Sequence, residues 1–310
     1  MNRHLVRAAV AAAALVSSVL FAPSATAAPA VNLAADTAAE ARAVAAHWTA
    51  KAMREATPLD ALTVDASRLV STVAKGLPRV ISPTAYPNGG SAWTGSGSVV
   101  KTVGRVFFTY QGRNASCSGN AVTSANKSTV MTAGHCVKLD GAYHANFVFV
   151  PGYNNGNAPY GTWTAKATMA TPQWHASEDI NYDVGAAVVN PLNGQSLTDV
   201  VGAQGIAFNQ PKSQNMYAFG YPAASPYDGS KLIYCSGGTF SAFLSNGIGM
   251  TCNMTGGSSG GPWFKSFVEG TGVGVQNSVN SYKINFFPTW MFGPYFGADA
   301  QNLYNTAQAR

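Results

Sequence analysis

Short runs of β-branched and aromatic residues, separated by turns of glycine, proline and asparagine, dominate the chain from about residue 95 onward. This pattern is typical of an all-β barrel or sandwich, and about 220 residues of it suit one unit made of two small barrels. A short helix is predicted at the C-terminus, in DAQNLYNTAQAR. The clearest strand candidates are VGRVFFTY (103–110), STVMTAG (128–134), HANFVFVPGY (144–153), DVGAAVV (183–189), NMYAFGY (215–221) and GTGVGVQNSV (270–279).

Residues 1–27 have the features of a secretory signal peptide. Arg3 and Arg7 precede a nearly apolar run over residues 8–22, and Ala25-Thr26-Ala27 supplies a small-x-small cleavage site. The apolar run is shorter than a membrane span, and no later segment approaches that length. We therefore expect a product that is secreted to the extracellular space and has no membrane contact after signal removal.

Residues 28–85 differ in composition from the β-rich part. Up to about residue 56 they are rich in alanine, glutamate, arginine and lysine, which favour helix, and Asp36-Thr37 offers an N-terminal cap. Residues 82–98 consist of turn and loop residues. We interpret 28–85 as a helical pro-segment that precedes a domain spanning 86–310. A helical hairpin retained in the mature protein is the alternative.

The four cysteines of an exported chain predict two disulfide bonds. Local spacing favours Cys117 with Cys136 and Cys235 with Cys252, each closing a loop of roughly 20 residues worth about 3 kcal/mol. A zinc site would need a Cys-x-x-Cys pair or histidines clustered with the cysteines, and neither occurs. We expect no metal and no other cofactor.

The net charge does not indicate a nucleic-acid partner. It is +6, but only 10% of the residues are charged, and lysine and arginine form no block. A nucleic-acid surface requires such clustering. We therefore expect no nucleic acid among the partners. We also expect the protein to be a monomer.

One serine stands in a frame that suits a nucleophile. Ser259 lies in NMTGGSSGGPWF (253–264), where the flanking glycines leave room for a substrate. The backbone N–H groups of Gly257 and Ser259 are spaced to donate to one developing oxyanion. A Gly-x-Ser-x-Gly motif also occurs in α/β-hydrolases, but there the base histidine follows the serine. All five histidines of this chain precede Ser259, which excludes that fold.

A serine nucleophile needs a base within hydrogen-bond reach. His135 follows an apolar strand in STVMTAGHCV, and the adjacent Cys136 can fix its loop. His144 and His175 stand in polar, turn-rich segments, and we expect both on the surface. His135 is therefore the predicted base.

A third group must orient the base, and an aspartate held near a packed strand suits this role. Asp183 directly precedes the apolar run 184–189, which can anchor it. Asp179, four residues upstream in a more polar stretch, is the alternative. Asp199 and Asp228 lack such a frame, and we expect both to be solvated.

The motifs TAGHC, DVGAAVV and GSSGGP occur in that order, with 48 residues from His135 to Asp183 and 76 from Asp183 to Ser259. In these motifs the chain resembles the chymotrypsin-like (trypsin-type) serine peptidases, above all the secreted bacterial branch near the glutamyl endopeptidases. The resemblance covers roughly residues 95–295. It implies two six-stranded antiparallel barrels, with His135 and Asp183 in the first and Ser259 in the second. It also implies hydrolysis of protein or peptide substrates through an acyl-enzyme intermediate.

The chain departs from the family pattern in three respects. Ser258 replaces the aspartate that usually precedes the nucleophile, so we expect no essential α-amine after maturation. Asn253 stands where trypsins carry an aspartate, and no histidine follows Ser259 as in glutamyl endopeptidases. We predict that Asn253 and Ser278, the latter within the segment 275–278, contact the substrate and favour an uncharged side chain. A secreted esterase and a catalytically inactive binding module remain as alternative functions.

Overall fold

The computed structural model of the chain describes residues 27–60, 62–64 and 88–310, with only the backbone described at residue 64. The predicted signal peptide up to residue 26, and residues 65–87 around the predicted end of the pro-segment, lie outside the described residues. The strands are β1 (Ala30–Leu33), β2 (Thr57–Pro58), β3 (Leu62–Val64), β4 (Asn88–Ala92), β5 (Val103–Tyr110), β6 (Arg113–Ala121), β7 (Thr129–Thr132), β8 (Lys138–Leu139), β9 (Ala142–Tyr143), β10 (Ala145–Pro151), β11 (Trp163–Ala170), β12 (Gly185–Val189), β13 (Gly205–Ile206), β14 (Asn215–Gly220), β15 (Ile233–Gly238), β16 (Phe240–Ser241), β17 (Ile248–Thr251), β18 (Pro262–Val268), β19 (Val273–Val279), β20 (Tyr282–Ile284) and β21 (Trp290–Gly293). The helices are α1 (Ala38–His47), α2 (Ala50–Glu55), α3 (Val99–Thr102), α4 (Pro172–Ser177), α5 (Leu197–Val201) and α6 (Ala298–Gln308).

The strands predicted from the sequence are present, and β5 coincides with the predicted run VGRVFFTY. Side chains of β5 alternate between two apolar clusters. Val106 and Phe108 belong to the core of the first half, whereas Val103 and Phe107 belong to a cluster that also contains Phe219 of the second half. A strand directs successive side chains to opposite faces. Because both faces of β5 are covered, the run is apolar on both.

The first half is a closed barrel of six antiparallel strands. Neighbours follow in the order β11-β10-β5-β6-β7-β12, and β12 pairs with β11 to close the barrel. Within it β7 and β12 are adjacent and antiparallel, with Thr132 opposite Gly185. The residues that follow β7 and those that precede β12 therefore meet at the same end of the barrel.

The second half encloses its core between two sheets. One has the order β13-β19-β18-β14-β15-β4 and the other β16-β17-β21-β20-β3. A disulfide between Cys235 and Cys252 joins the first sheet to the segment after β17. Both sheets contribute to one apolar cluster, which includes Met216, Met250 and Trp263. The predicted all-β, chymotrypsin-like fold is confirmed, and the second barrel is assembled from two sheets.

The predicted C-terminal helix is present as α6 and packs on the first barrel. Ala300, Leu303 and Ala307 of this helix are buried in the core of the first half. The side-chain amide of Asn126 donates to the carbonyl oxygen of Ala307 over 2.8 Å, which satisfies one of the free carbonyl groups at the helix end.

The N-terminal segment contains the predicted helices but also strands. Thr37 caps α1 as predicted, because its hydroxyl accepts from the backbone N–H of Glu40 and the Glu40 carboxylate accepts from the backbone N–H of Thr37. The strands β1, β2 and β3 pair with β11, β6 and β20 of the domain. Composition did not indicate them, since their hydrogen bonds are made to distant parts of the chain.

Trp48 anchors the same segment on the domain. Its side chain is buried, its indole N–H donates to the carbonyl oxygen of Asn146 over 2.6 Å, and its ring lies 5.3 Å from that of Phe107. The described part of the N-terminal segment is thus packed against the β domain.

No helix among the described residues is long and apolar enough to cross a bilayer.

Candidate active site

His135 and Asp183 meet at the end of the first barrel where β7 finishes and β12 begins. His135 lies in a 3-10 turn, Gly134–Cys136, directly after β7. Its Nδ1 lies 2.8 Å from Asp183 Oδ2, and its backbone N–H donates to Asp183 Oδ1 over 2.8 Å. A carboxylate only accepts, so Nδ1 carries the proton and Nε2 is left to act as a base.

A third donor reaches the same carboxylate from the second half. The hydroxyl of Ser281, the residue before β20, donates to Asp183 Oδ2 over 2.5 Å. Ser281, His135 and Asp183 are all fully buried. Sequence reasoning missed Ser281, because the contact joins residues 98 positions apart and no local motif marks it.

The alternative acid, Asp179, has a different role. Its side chain accepts from the backbone N–H of Asn181 over 3.0 Å and caps the 3-10 turn Ile180–Tyr182. The structure therefore brings Asp183, and not Asp179, to His135.

The Ser259 loop docks against the first barrel, and its glycines permit the close approach. Gly260 has a φ of +80°, and a Cβ there would lie 2.0 Å from Thr132 Oγ1. The carbonyl oxygen of Ser259 accepts from the backbone N–H of Ser118 over 2.7 Å. Glycine at residue 260 is thus required both by the left-handed backbone and by the lack of space.

The reactive atoms of the predicted pair are shielded. Ser259 is 1% exposed and His135 is 0% exposed. Neither Ser259 Oγ nor His135 Nε2 has a hydrogen-bond partner within the described part of the chain. Catalytic hydrogen bonds are often long in the absence of substrate and tighten only in the complex.

The predicted oxyanion donor at Gly257 is already engaged. Its backbone N–H donates to the carbonyl oxygen of Leu59, in the N-terminal segment, over 2.9 Å. The N–H of Leu59 donates in turn to the carbonyl oxygen of Ser116 over 2.9 Å. The N-terminal segment therefore lies directly on the candidate oxyanion site.

Ser118 links the first barrel to the oxyanion loop, and sequence reasoning missed it too. Its hydroxyl donates to the carbonyl oxygen of Gly257 over 2.9 Å and accepts from the backbone N–H of Tyr221 over 2.8 Å. Gly257 has a φ of +91°, so its peptide groups depend on such contacts for their orientation.

The expectation that His144 lies on the surface is wrong. The residue is 5% exposed, its ring stacks on Phe108 at 4.4 Å, and Nε2 donates to the carbonyl oxygen of His135 over 2.9 Å. Burial lowers the pKa of His144 to about 4. Its polar sequence neighbours concealed that the chain between β9 and β10 places it beside the His135 turn. His175 is exposed, as expected.

The two predicted substrate-binding residues contact different neighbours. Asn253 is exposed, and its Oδ1 accepts from the hydroxyl of Tyr227 over 2.6 Å. Ser278 is fully buried, and its hydroxyl donates to the carbonyl oxygen of Pro294 over 2.7 Å. Their contact with a substrate stays a prediction.

A lysine beside Asn253 was not singled out from the sequence. Lys283 lies in β20, and its Nζ donates to the carbonyl oxygens of Cys252 and Pro288 over 3.3 and 2.6 Å. Burial lowers the pKa of this ammonium to about 8.

Both predicted disulfide bonds are formed, Cys117–Cys136 and Cys235–Cys252. The first pins the His135 turn to β6. Among the described residues, a group of potential metal ligands close enough to share an ion consists of Cys117, His135 and Cys136. Because the two cysteines are joined in a disulfide, neither offers a thiolate, and this group does not fit a metal site.

A closed antiparallel barrel that holds a histidine bonded to an aspartate, and a second β half with a serine in a glycine-framed loop docked on that barrel, are typical of the chymotrypsin-like class of serine hydrolases. The comparisons with known proteins agree with this class. The chain is 50% identical to the protease Anisep from Arthrobacter nicotinovorans, with a TM-score of 0.66, over 71% of this chain and 100% of that one. It is 43% identical to the thermostable serine protease AL20 from an extremophilic microorganism, with a TM-score of 0.65, over 68% of this chain and 99% of that one. The chain therefore belongs to the family of chymotrypsin-like serine proteases that contains these two proteins, and it is a serine endopeptidase.

Two further comparisons are more limited. A Glu endopeptidase solved in complex with MPD is 18% identical, with a TM-score of 0.58, over 72% of this chain and 98% of that one, and this likeness shows the fold. An "Extracellular metalloprotease" of Bacillus subtilis (strain 168) is 37% identical over 82 residues, which are 26% of this chain. The chain matches about a quarter of that relative's length, 25%. No protein-family model matches the chain.

Proposed function

We propose that Ser259, His135 and Asp183 form the catalytic triad of this serine endopeptidase and cleave peptide bonds through an acyl-enzyme intermediate. The observation that carries the proposal is the pair of hydrogen bonds that ties the backbone and ring of His135 to Asp183. This pair leaves His135 Nε2 as the free ring nitrogen on the site that also holds Ser259.

The proposed roles are those of a serine nucleophile, a histidine base and an orienting aspartate. His135 Nε2 takes the hydroxyl proton of Ser259 while Oγ attacks a peptide carbonyl carbon, and the imidazolium then protonates the leaving amine. Asp183 holds the proton on Nδ1 and stabilises the imidazolium. Water cleaves the acyl-Ser259 ester by the same proton transfers.

The developing oxyanion would be held by the N–H groups of Gly257 and Ser259. In related sites, losing one such donor costs roughly 3–4 kcal/mol of transition-state stabilisation. Ser118 supports this role, since its hydroxyl holds the carbonyl group of Gly257. Asn253 and Ser278 stay the proposed substrate contacts. Both are neutral, which favours an uncharged substrate side chain.

We further propose that the chain is exported as a precursor whose N-terminal segment is removed. The signal-peptide features of residues 1–27 support export, as does the word "extracellular" in the name of the Bacillus subtilis relative. Anisep and AL20 match over 100% and 99% of their own lengths but over only 71% and 68% of this chain, which leaves room for a removable segment. Ser258 carries no charge to pair with a buried ammonium, so the new α-amine would not be essential.

Replacement of the nucleophile tests the triad. Ser259→Ala should lower the turnover of casein by roughly 10⁶-fold, because a triad without its nucleophile retains only binding and oxyanion effects. The matched control is Ser258→Ala, since the hydroxyl of Ser258 donates to the nearby carbonyl oxygen of Thr255 and not to a residue of the proposed triad. We expect it to stay within about tenfold of the parent. A folded Ser259→Ala protein that still cleaves casein within tenfold of the parent contradicts the proposal. Cleavage of a nitrophenyl ester but not of casein would point to an esterase.

A further inference from the structure

A segment of the N-terminal region, described at residues 57–60 and 62–64, contacts both halves of the protein and the backbone N–H of Gly257, two residues before Ser259. We call it the cleft segment; its residue 61 is not described. At its start, β2 pairs in parallel with β6, with Pro58 opposite Ser116. At its end, β3 pairs in parallel with β20, with Leu62 opposite Tyr282. The segment thus adds a strand to both halves of the protein, as extended peptides do at free sheet edges.

Between these two pairings the cleft segment accepts a hydrogen bond from a backbone N–H group that catalysis would need. The carbonyl oxygen of Leu59 accepts from the backbone N–H of Gly257, the proposed oxyanion donor. The following residue, Asp60, lies so near the same loop that a Cβ on Gly256 would be 3.0 Å from its Oδ1. A substrate carbonyl cannot use the Gly257 N–H while Leu59 holds it.

Side chains of the cleft segment fill apolar sites on both halves. Leu59 is 9% exposed and belongs to the core cluster of the first half. Leu62 packs against this cluster and against a cluster of the second half that contains Tyr282 and Ile284. Apolar burial of this kind stabilises association.

The described hydrogen bonds of the cleft segment include none to the reactive side-chain atoms of Ser259 and His135. Cleavage requires a carbonyl carbon at Ser259 Oγ and the leaving nitrogen within reach of His135 Nε2. Neither atom is hydrogen-bonded to the cleft segment or to any other residue that the structure describes. The N–H of Leu59 instead donates to Ser116 in the first barrel. Leu59 is therefore held by backbone hydrogen bonds to both halves, while Ser259 Oγ and His135 Nε2 have no hydrogen-bond partner among the described residues.

We propose that the cleft segment is a built-in inhibitor: it occupies the substrate cleft, blocks the oxyanion donor at Gly257 and is not itself cleaved. This inference rests on the proposed function of Ser259 and adds the identity of the residues that keep it inactive. It also assigns a preference to the cleft, because the sites of Leu59 and Leu62 accept aliphatic side chains. Peptides with aliphatic residues at this spacing should compete with the segment.

The test uses the full-length chain and a fluorophosphonate that labels an accessible, activated serine. The variant Leu62→Asp places a charge in the apolar site of Leu62, and we expect Ser259 to be labelled about tenfold faster or more. The matched control is Leu33→Asp, because Leu33 lies in the same N-terminal segment but is 63% exposed in β1. Its labelling rate should equal that of the parent. Leu62→Ala is the milder second variant if Leu62→Asp does not fold.

A synthetic peptide with the sequence of residues 57–64 completes the test. Added in excess to the Leu62→Asp protein, it should restore slow labelling and be recovered intact by mass spectrometry. Two results would overturn the proposal that the cleft segment is an inhibitor: equal labelling rates in the parent and the Leu62 variants, or cleavage of the peptide after Leu59. Both results would leave Ser259 as the nucleophile. If no form is labelled at Ser259, the proposed function fails instead. Calorimetric binding of the peptide to the Leu62→Asp protein then decides whether the cleft segment occupies the cleft.

Discussion

The two halves of the molecule hold their parts of the site in different ways. His135 and Asp183 belong to one closed barrel and are joined by two hydrogen bonds within it. Ser259 belongs to a loop before β18, and its carbonyl oxygen is held from the other half by the N–H of Ser118. The first half thus contains the whole proposed proton-transfer pair, whereas the proposed nucleophile is held by a contact between the two halves.

This difference has a consequence for control. The pair in the first barrel is fully buried, and its two members are bonded to each other. The Ser259 loop lies at the boundary between the halves. There the N–H of Gly257 donates to Leu59 of the N-terminal segment, and the same N–H is the proposed donor to a substrate. Changes in the first half should therefore act on proton transfer, and changes at the boundary on access to the nucleophile.

Among the variants in the first half, Asp183→Asn should give the largest loss of kcat. An asparagine can donate to His135 Nδ1 and so favour the wrong tautomer, and kcat should fall by roughly 10⁴-fold. The matched control is Asp179→Asn, which alters a cap on a 3-10 turn and should change kcat by less than about threefold. The measurement is kcat on a peptide substrate across pH. Equal losses in the two variants would remove Asp183 from the site.

Removal of each disulfide compares the halves directly. Cys117 and Cys136 are separated by 19 residues, and Cys235 and Cys252 by 17. The similar loops predict a similar loss of unfolding free energy, about 3 kcal/mol each, from double alanine variants. Only the first removal should also lower kcat strongly, because Cys136 adjoins His135.

Urea unfolding in the Ser259→Ala background gives the two stabilities without self-digestion, and active-enzyme kinetics gives kcat. A larger kcat loss from removal of Cys235–Cys252 would show that the second half, and not the first, limits the geometry of the site.

The smallest expected effect is a change of folding stability with pH that arises from His144. Its pKa is lowered to about 4 by burial, against an ordinary value of 6.5, so the folded state binds the proton less readily than the unfolded state. Stability should therefore fall as pH decreases from about 6.5 to about 4, by about 3 kcal/mol at most, with no further change from this group below pH 4.

His144→Gln removes this titration and keeps a side-chain donor for the carbonyl oxygen of His135. The difference in unfolding free energy between parent and variant should vary with pH only inside this window. A difference that is constant from pH 7 to pH 4 would mean that His144 is not protonated on unfolding.

Several elements could be predicted because their signals are local. The run VGRVFFTY is apolar over most of its length and forms β5, and the glycines around Ser259 mark a loop that must approach other groups closely. Sequence order, with every histidine before Ser259, excluded the α/β-hydrolase fold. Ser281, Ser118 and His144 could not be predicted, since each acts through a hydrogen bond to a residue or loop that only the packing brings near.

The sequence by itself determined the strand pattern and the pairing of cysteines by short loops, and it supplied the residues of the proposed triad, because each of these signals depends on neighbours along the chain. Only the tertiary structure decided that Asp183 rather than Asp179 meets His135, since β7 and β12 must lie side by side for their ends to converge. It also decided where the N-terminal segment lies. Within the described part of that segment the strands pair with β11, β6 and β20 of the folded domain, which satisfies their backbone groups.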